Sequence, residues 1–315
     1  MADQPTTSIY HDGHLSITLS TQPTTPGHTL ARLTNPTNTP LFSLPKPTFI
    51  QTLLKLRTIA TTLNKYHHVH RTALITTGGT TLSLLPLHGL TSIWKPIINS
   101  STTFHNDPQT HITSKDAPRM PDAHLTAIRN TILTASNLPS TDPTTYNYTF
   151  HGPADDSNLF ARIIRGELPQ WRIWEDEHHV AFLTPFPNTP GFTVLVPRAH
   201  LSSDIFALEE GPFERLMEAA YCVGRVLVQA FKLETCGMVF EGFEIDYAHV
   251  KLIPVRGDGD GEEGEGEGER EVFHKTYPGY VSSLSGPSVE DYGELVRMAG
   301  KIRRLIAESS ADLTI

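Results

Sequence analysis

The chain repeats itself. At an offset of 164 residues, Ile9-Tyr10-His11-Asp12-Gly13-His14 falls on Ile173-Trp174-Glu175-Asp176-Glu177-His178. The same offset sets Pro23-Thr24-Thr25-Pro26-Gly27-His28-Thr29-Leu30 on Pro187-Asn188-Thr189-Pro190-Gly191-Phe192-Thr193-Val194, and runs unbroken to Phe42-Ser43-Leu44 opposite Phe206-Ala207-Leu208. A helical stripe follows in both copies: Leu53, Leu56, Ile59, Ala60 and Leu63 against Met217, Ala220, Val223, Gly224 and Leu227. Thr81-Leu82-Ser83-Leu84-Leu85-Pro86 then meets His249-Val250-Lys251-Leu252-Ile253-Pro254 at an offset of 168, so the first copy has a loop four residues shorter. A fainter echo sets Ile112–Ile132 against Val281–Ile302, with Pro118 opposite Pro287 and Asp122 opposite Asp291. A chain doubled in this way folds as one supersecondary unit made twice.

The second copy carries the more informative strand, within Gly242 to Val255. Side chains alternate along a strand, so Tyr247, His249 and Lys251 share one face while Ala248, Val250 and Leu252 share the other. The second face suits a core. The first holds an imidazole between a phenol and an ammonium, and Pro254 closes the ladder.

This strand resembles the defining strand of the histidine-triad (HIT) family, His-x-His-x-His before two apolar residues. Tyr247, His249 and Lys251 stand at the three histidine positions, with only the middle one retained. The neighbouring sequence strengthens the resemblance. Asn158-Leu159-Phe160-Ala161-Arg162-Ile163-Ile164-Arg165-Gly166-Glu167-Leu168-Pro169 looks like the family's opening helix and turn, and Trp174–Glu177 with Val180–Leu183 like its first hairpin. Pro190-Gly191-Phe192-Thr193-Val194-Leu195-Val196-Pro197-Arg198-Ala199-His200 looks like the family strand that follows, with His200 in place. The similarity covers about residues 157 to 255.

What the resemblance implies is an α+β fold of two HIT-like units, each an antiparallel sheet carrying a long helix and a C-terminal helix. The units are expected at 1–140 and 157–315, joined by a linker at 141–156. It also implies a nucleotide phosphoester hydrolase or nucleotidyl transferase in which His249 attacks phosphorus to form a phosphoramidate. Lys251, Tyr247 and His200 would contact phosphate or substrate, whereas Arg198 is expected to carry ordinary surface charge. The family's zinc cysteines are replaced by Asn158 and Ala161, so no metal and no cofactor is expected. Family members pair as dimers, which makes an intramolecular pseudo-dimer the expected arrangement. The competing expectation is a non-catalytic nucleotide-binding or interaction protein, because two of the three histidines are gone.

In the first copy Gly79, Thr81 and Ser83 occupy the triad positions. Hydroxyls without a base are poor nucleophiles, so that copy is expected to be inert. Gly78-Gly79 offers backbone N–H groups to a phosphate, or simply a turn. His67, His68 and His70 are expected in a polar loop.

A net charge of −9 with no basic stripe argues against a nucleic-acid polymer as partner. Much of it sits in a Gly/Glu run at 256–271, expected to be a disordered surface insertion because it can bury nothing. Cys222 and Cys236 lie in apolar surroundings and read as core residues of a reducing compartment. Without a signal, spanning or lipidation pattern, no membrane partner is expected and a cytoplasmic or nuclear location is. Ser288-Val289-Glu290-Asp291 should open a final helix with Leu295, Met298, Ala299, Ile302 and Leu305 on its apolar stripe.

Overall fold

A computed structural model describes residues 6–34, 37–98, 111–136, 143–255 and 270–311. The first unit runs β1 (Ser8–His11), β2 (Leu15–Leu19), β3 (Thr29–Leu33), α1 (Lys46–His67), β4 (Thr72–Thr76), β5 (Thr81–Pro86) and α2 (Asp122–Ala135). The second opens with a short helix, α3 (Leu159–Ile164), capped by Asn158 Oδ1 accepting from Phe160 N at 3.0 Å. It continues with β6 (Trp171–Glu175), β7 (His179–Leu183), β8 (Thr193–Pro197), α4 (Glu210–Phe231), β9 (Cys236–Phe240), β10 (Val250–Pro254) and α5 (Tyr292–Ala311).

Positions related by the 164-residue offset adopt matching local structure. Asp12 Oδ1 accepts from the backbone N–H of His14 and Leu15, and its counterpart Asp176 Oδ1 does the same for His178 and His179, turning each first hairpin. α1 and α4 each end on a left-handed residue, His68 (φ 52°) and Lys232 (φ 54°). Ladder registers follow the two offsets: Leu30 faces Ser83 in the first unit, and Val194 faces Lys251 in the second.

All ten strands form one antiparallel sheet in the order β1-β2-β3-β5-β4-β9-β10-β8-β7-β6. The seam is β4 against β9, where Leu74 pairs with Phe240, Ile75 with Val239 and Thr76 with Met238. One face of the sheet packs on α1 and α4 in a core that includes Leu53, Leu56, Leu216, Val223, Leu84 and Leu252. The opposite face is covered too, by Phe160 and Ile164 of α3 and by Ile112, Phe243 and Val281 from connecting segments. The motif strand is therefore buried on both faces.

The C-terminal segments cross over. α2, which ends the first repeat, packs on α4 and β6; α5, which ends the second, packs on α1, β1 and β2. Just before these helices the two segments touch, through the bridge Thr113–Ser282 and the bonds Ser114 N to Val281 O and Ser283 N to Ile112 O (both 3.0 Å).

Several expectations need correction. α5 begins at Tyr292, because Asp291 Oδ1 takes the N–H of Glu294 at 2.9 Å and so supplies the cap. His67 is the last helical residue of α1 instead of a loop residue. The described part of the expected linker is packed down, with Tyr146 buried and Asn147 O accepting from Arg172 and Arg198. Of the acidic run, residues 256–269 lie outside the described residues. Among the described residues, no helix is long and apolar enough to cross a membrane.

Candidate active site

β10 starts at Val250, so His249 sits just before the regular ladder and Tyr247 two residues earlier, in the approach to it. The alternation holds through this approach: Ala248, Val250 and Leu252 join the core beneath the helices. Tyr247, His249 and Lys251 face the other way and are all buried.

His249 is 3% exposed, with the Phe160 ring 5.3 Å from its own. Its Nδ1 lies 2.7 Å from the carbonyl oxygen of Tyr247. A carbonyl can only accept, so Nδ1 carries the proton and Nε2 presents a lone pair. Burial first, and the Lys251 charge second, push the imidazole down to about 4, which keeps it neutral at physiological pH. Nε2 has no protein partner among the described residues, and it is not one of the sealed polar atoms. These are the properties a nitrogen nucleophile needs.

Lys251 lies one step along the same face. Its ammonium donates to Glu244 Oε2 at 2.9 Å and to Ser114 O at 3.1 Å, and lies 3.6 Å from Glu241 Oε1. Burial works to lower its proton affinity, but Glu244, Glu241 and Asp116 outweigh that and raise it. Glu241 also accepts from Tyr277 OH at 2.7 Å. Asp116, hydrogen-bonded to Glu244, is pushed up to about 7 by burial and by that neighbouring carboxylate. The expected phosphate-binding cation is thus already surrounded by carboxylates. Ser114, Asp116 and Tyr277 come from the crossed-over segments, which no local pattern in the sequence ties to the motif.

Tyr247 is fully buried and donates to Pro197 O at 2.7 Å, so its hydroxyl is used in joining β10's approach to the end of β8. Burial raises its proton affinity, and Asp156 adds to this. His200 stacks on the Tyr247 ring at 4.6 Å. Its Nδ1 is 2.7 Å from Asp156 Oδ2 and its Nε2 is 2.8 Å from Asp246 O, so both ring nitrogens already have protein partners.

Arg198 is not on the surface. It is fully buried, donating from Nη2 to Glu175 Oε2 (2.5 Å), from Nη1 to Asn147 O (2.7 Å) and from Nε to Asp176 O (3.0 Å). Arg172, equally buried, shares the same Glu175 oxygen at 2.6 Å. A guanidinium survives burial only when paired and hydrogen-bonded, and this one joins β6, β8 and the 143–156 segment.

The first unit's counterpart is chemically quiet. His28 Nδ1 accepts from Thr24 N at 3.2 Å, and burial holds this imidazole near 4, so the proton is on Nε2, which donates to Ser83 Oγ at 3.1 Å. A base that donates to a serine cannot take its proton. Nor is Gly78 open to a phosphate: a Cβ there would lie 2.0 Å from Cys236 O, so the turn is pressed against the second unit. No group of three or more His, Cys, Asp or Glu side chains is placed to hold a metal among the described residues.

The family model described as the HIT domain matches residues 165–256. The chain is 29% identical over 109 residues to the adenosine 5′-monophosphoramidase of Saccharomyces cerevisiae, spanning 33% of this chain and 66% of that protein, just under two thirds of its length. It is 32% identical over 103 residues to an uncharacterised HIT-like protein of Methanocaldococcus jannaschii, spanning 30% of this chain and 77% of that one. Among solved structures, a HIT family member of Bacillus subtilis is similar at a TM-score of 0.30 and 24% identity, over 36% of this chain and 84% of that one. A uridylyltransferase mutant is similar at a TM-score of 0.42 and 12% identity, over 90% of this chain and 78% of that one. The model match enclosing His249, together with 32% identity across 77% of a HIT-like relative, shows that this chain belongs to the histidine-triad family.

Proposed function

We propose that the chain is a nucleotide phosphoester hydrolase or nucleotidyl transferase working through His249. The observation that carries this reading is the 2.7 Å contact of His249 Nδ1 with Tyr247 O, which holds the proton away from Nε2. In the step envisaged, the Nε2 lone pair forms a bond to the α-phosphorus and the bond to the leaving group breaks, its electron pair leaving with that group. Water or an acceptor then cleaves the N–P bond and frees the histidine. The yeast relative's name makes an adenosine 5′-phosphoramidate the first substrate to try.

In this reading Tyr247 and His200 shape the site instead of touching phosphate, and Lys251 lends positive potential. The units at 1–140 and 157–315 form an intramolecular pseudo-dimer in which the first orients the second. The β4–β9 seam and the crossed C-terminal helices support that arrangement.

A second reading, a nucleotide-binding or interaction protein without turnover, is favoured by two observations. Lys251 lies between Glu244 and Glu241, where an incoming phosphate would meet carboxylates, and His249 is only 3% exposed.

Incubation with adenosine 5′-phosphoramidate or a dinucleoside polyphosphate, an alkaline quench and peptide mass spectrometry separate the two. A nucleotidyl adduct on His249, absent from His249→Ala, supports catalysis. A nucleotide-induced rise in melting temperature without adduct or turnover supports the second reading. Neither adduct nor thermal shift removes both.

A further inference from the structure

The first unit has lost its motif histidine, yet one of its side chains reaches into the loop that aims the second unit's. Arg71, just ahead of β4, donates from Nη1 to Ser203 Oγ at 2.9 Å and to Gly242 O at 3.1 Å. Its guanidinium lies 4.6 Å over the Phe243 ring, and its Nε is 3.9 Å from Asp204 Oδ2. Ser203 Oγ passes the contact on, donating to Asp246 Oδ1 at 2.6 Å. The Asp246 carbonyl accepts from His200 Nε2 at 2.8 Å and Asn158 Nδ2 at 3.1 Å, so this residue is held at both its side chain and its backbone. The next carbonyl in the chain, Tyr247 O, is the one that sets the His249 tautomer.

Two further features make this path specific. Gly242 has φ +81°, and a Cβ there would come within 2.8 Å of Arg71 Nη1 and 2.3 Å of Ser203 O, so the close approach requires a glycine. The reach is also longer in one direction than in the other. The counterpart of Arg71 at the 164-residue offset is Thr235, whose short side chain donates to Thr77 O at 3.4 Å. The longer side chain is directed at the unit that keeps the histidine.

We propose that Arg71 is a positioning residue for His249, acting through Ser203 and Asp246 on the carbonyl that holds the imidazole's Nδ1–H. The inference rests on His249 being the working residue, and it assigns the otherwise silent first unit a role in the chemistry of the second.

The test reads the tautomer directly. In the full chain labelled with 15N-histidine, long-range proton–nitrogen spectra should show His249, assigned by its loss in His249→Ala, with Nδ1 protonated and Nε2 bare. Arg71→Gln and Ser203→Ala should each convert it to an averaged or mixed signal, while Thr235→Val leaves it unchanged. If turnover is present, kcat should fall roughly tenfold or more with KM nearly constant, as expected when a reacting group loses alignment. A His249 signal unchanged in folded Arg71→Gln and Ser203→Ala overturns the proposal. Should Arg71→Gln not fold, Ser203→Ala decides alone, since it keeps Arg71 and its bond to Gly242. Wild-type protein without turnover would sink the enzymatic reading while the tautomer still tests the positioning.

Discussion

Ile75 and Val239 pair across the β4–β9 seam, and each is the other's counterpart at the 164-residue offset. Their neighbours exchange in the same way: Leu74 faces Phe240 and Thr76 faces Met238. The repeat thus meets itself antiparallel, as the two halves of an isologous contact do, and both central side chains are buried in the core of the second sheet face.

That seam should be energetically shared. Ile75→Ala and Val239→Ala are each expected to cost about 2–4 kcal/mol from lost burial and residual cavity. Because the residues are neighbours, the double variant should depart from additivity by roughly 0.5 kcal/mol or more. Urea denaturation checks both, and should show one transition. Two separate transitions would mean the units unfold independently.

Acid should destabilise the protein through its buried imidazoles. His249 and His28 are held near 4 by burial, against 6.5 unfolded, so between these values the unfolded chain binds more protons and stability falls as pH drops. For His249 alone this amounts to about 2 kcal/mol at pH 5. Asp116, raised to about 7, acts in the opposite direction, losing stability as pH rises through that value. Subtracting the pH profile of His249→Gln from that of the wild type isolates the histidine. A difference flat from pH 8 to 5 would contradict its burial as a neutral ring.

Lys251 pairs with two carboxylates, Glu244 and Glu241. Lys251→Met should destabilise by about 3–5 kcal/mol near pH 8, because the buried Glu241 and the half-buried Glu244 lose their cation. Adding Glu244→Gln should recover a large part of that loss. Calorimetric melting of the single and double variants measures it; equal melting of Lys251→Met and wild type would show that the cluster is neutralised in another way.

Tyr247 is a structural member of the motif. Tyr247→Phe removes the O–H bond to Pro197 and should cost about 1–2 kcal/mol. Any nucleotidyl adduct on His249 should persist in this variant. Loss of the adduct with the fold intact would return the phenol to the chemistry.

The first unit should be dispensable as a nucleophile. Ser83→Ala breaks only the bond from His28, costing about 1 kcal/mol, and should leave adduct yield unchanged. Adduct loss in this variant, with melting unaffected, would overturn the assignment of chemistry to the second unit alone.

Much of this was legible from local pattern. Two offsets, 164 and 168, anticipate both ladder registers, because a strand's pairing is tied to its alternation and a one-residue slip would turn every side chain over. The parity of Tyr247, His249 and Lys251 against Ala248, Val250 and Leu252 follows for the same reason. Arg198 was not legible: a lone arginine after a strand reads as surface charge, and only the position of Glu175 and the Asn147 carbonyl shows why it is buried.

By itself the sequence determined that the chain has two α+β units, which of them keeps an imidazole, and which face of the approach to β10 presents it. These are consequences of periodicity, a property of neighbouring residues. Only the tertiary structure decided what surrounds that imidazole: Ser114 and Asp116 over Lys251, and Arg71 on the loop before Tyr247. Those partners lie far along the chain or on the other repeat, and no local pattern records them. Their contacts exist because the sheet is continuous at β4–β9 and the C-terminal segments cross between units.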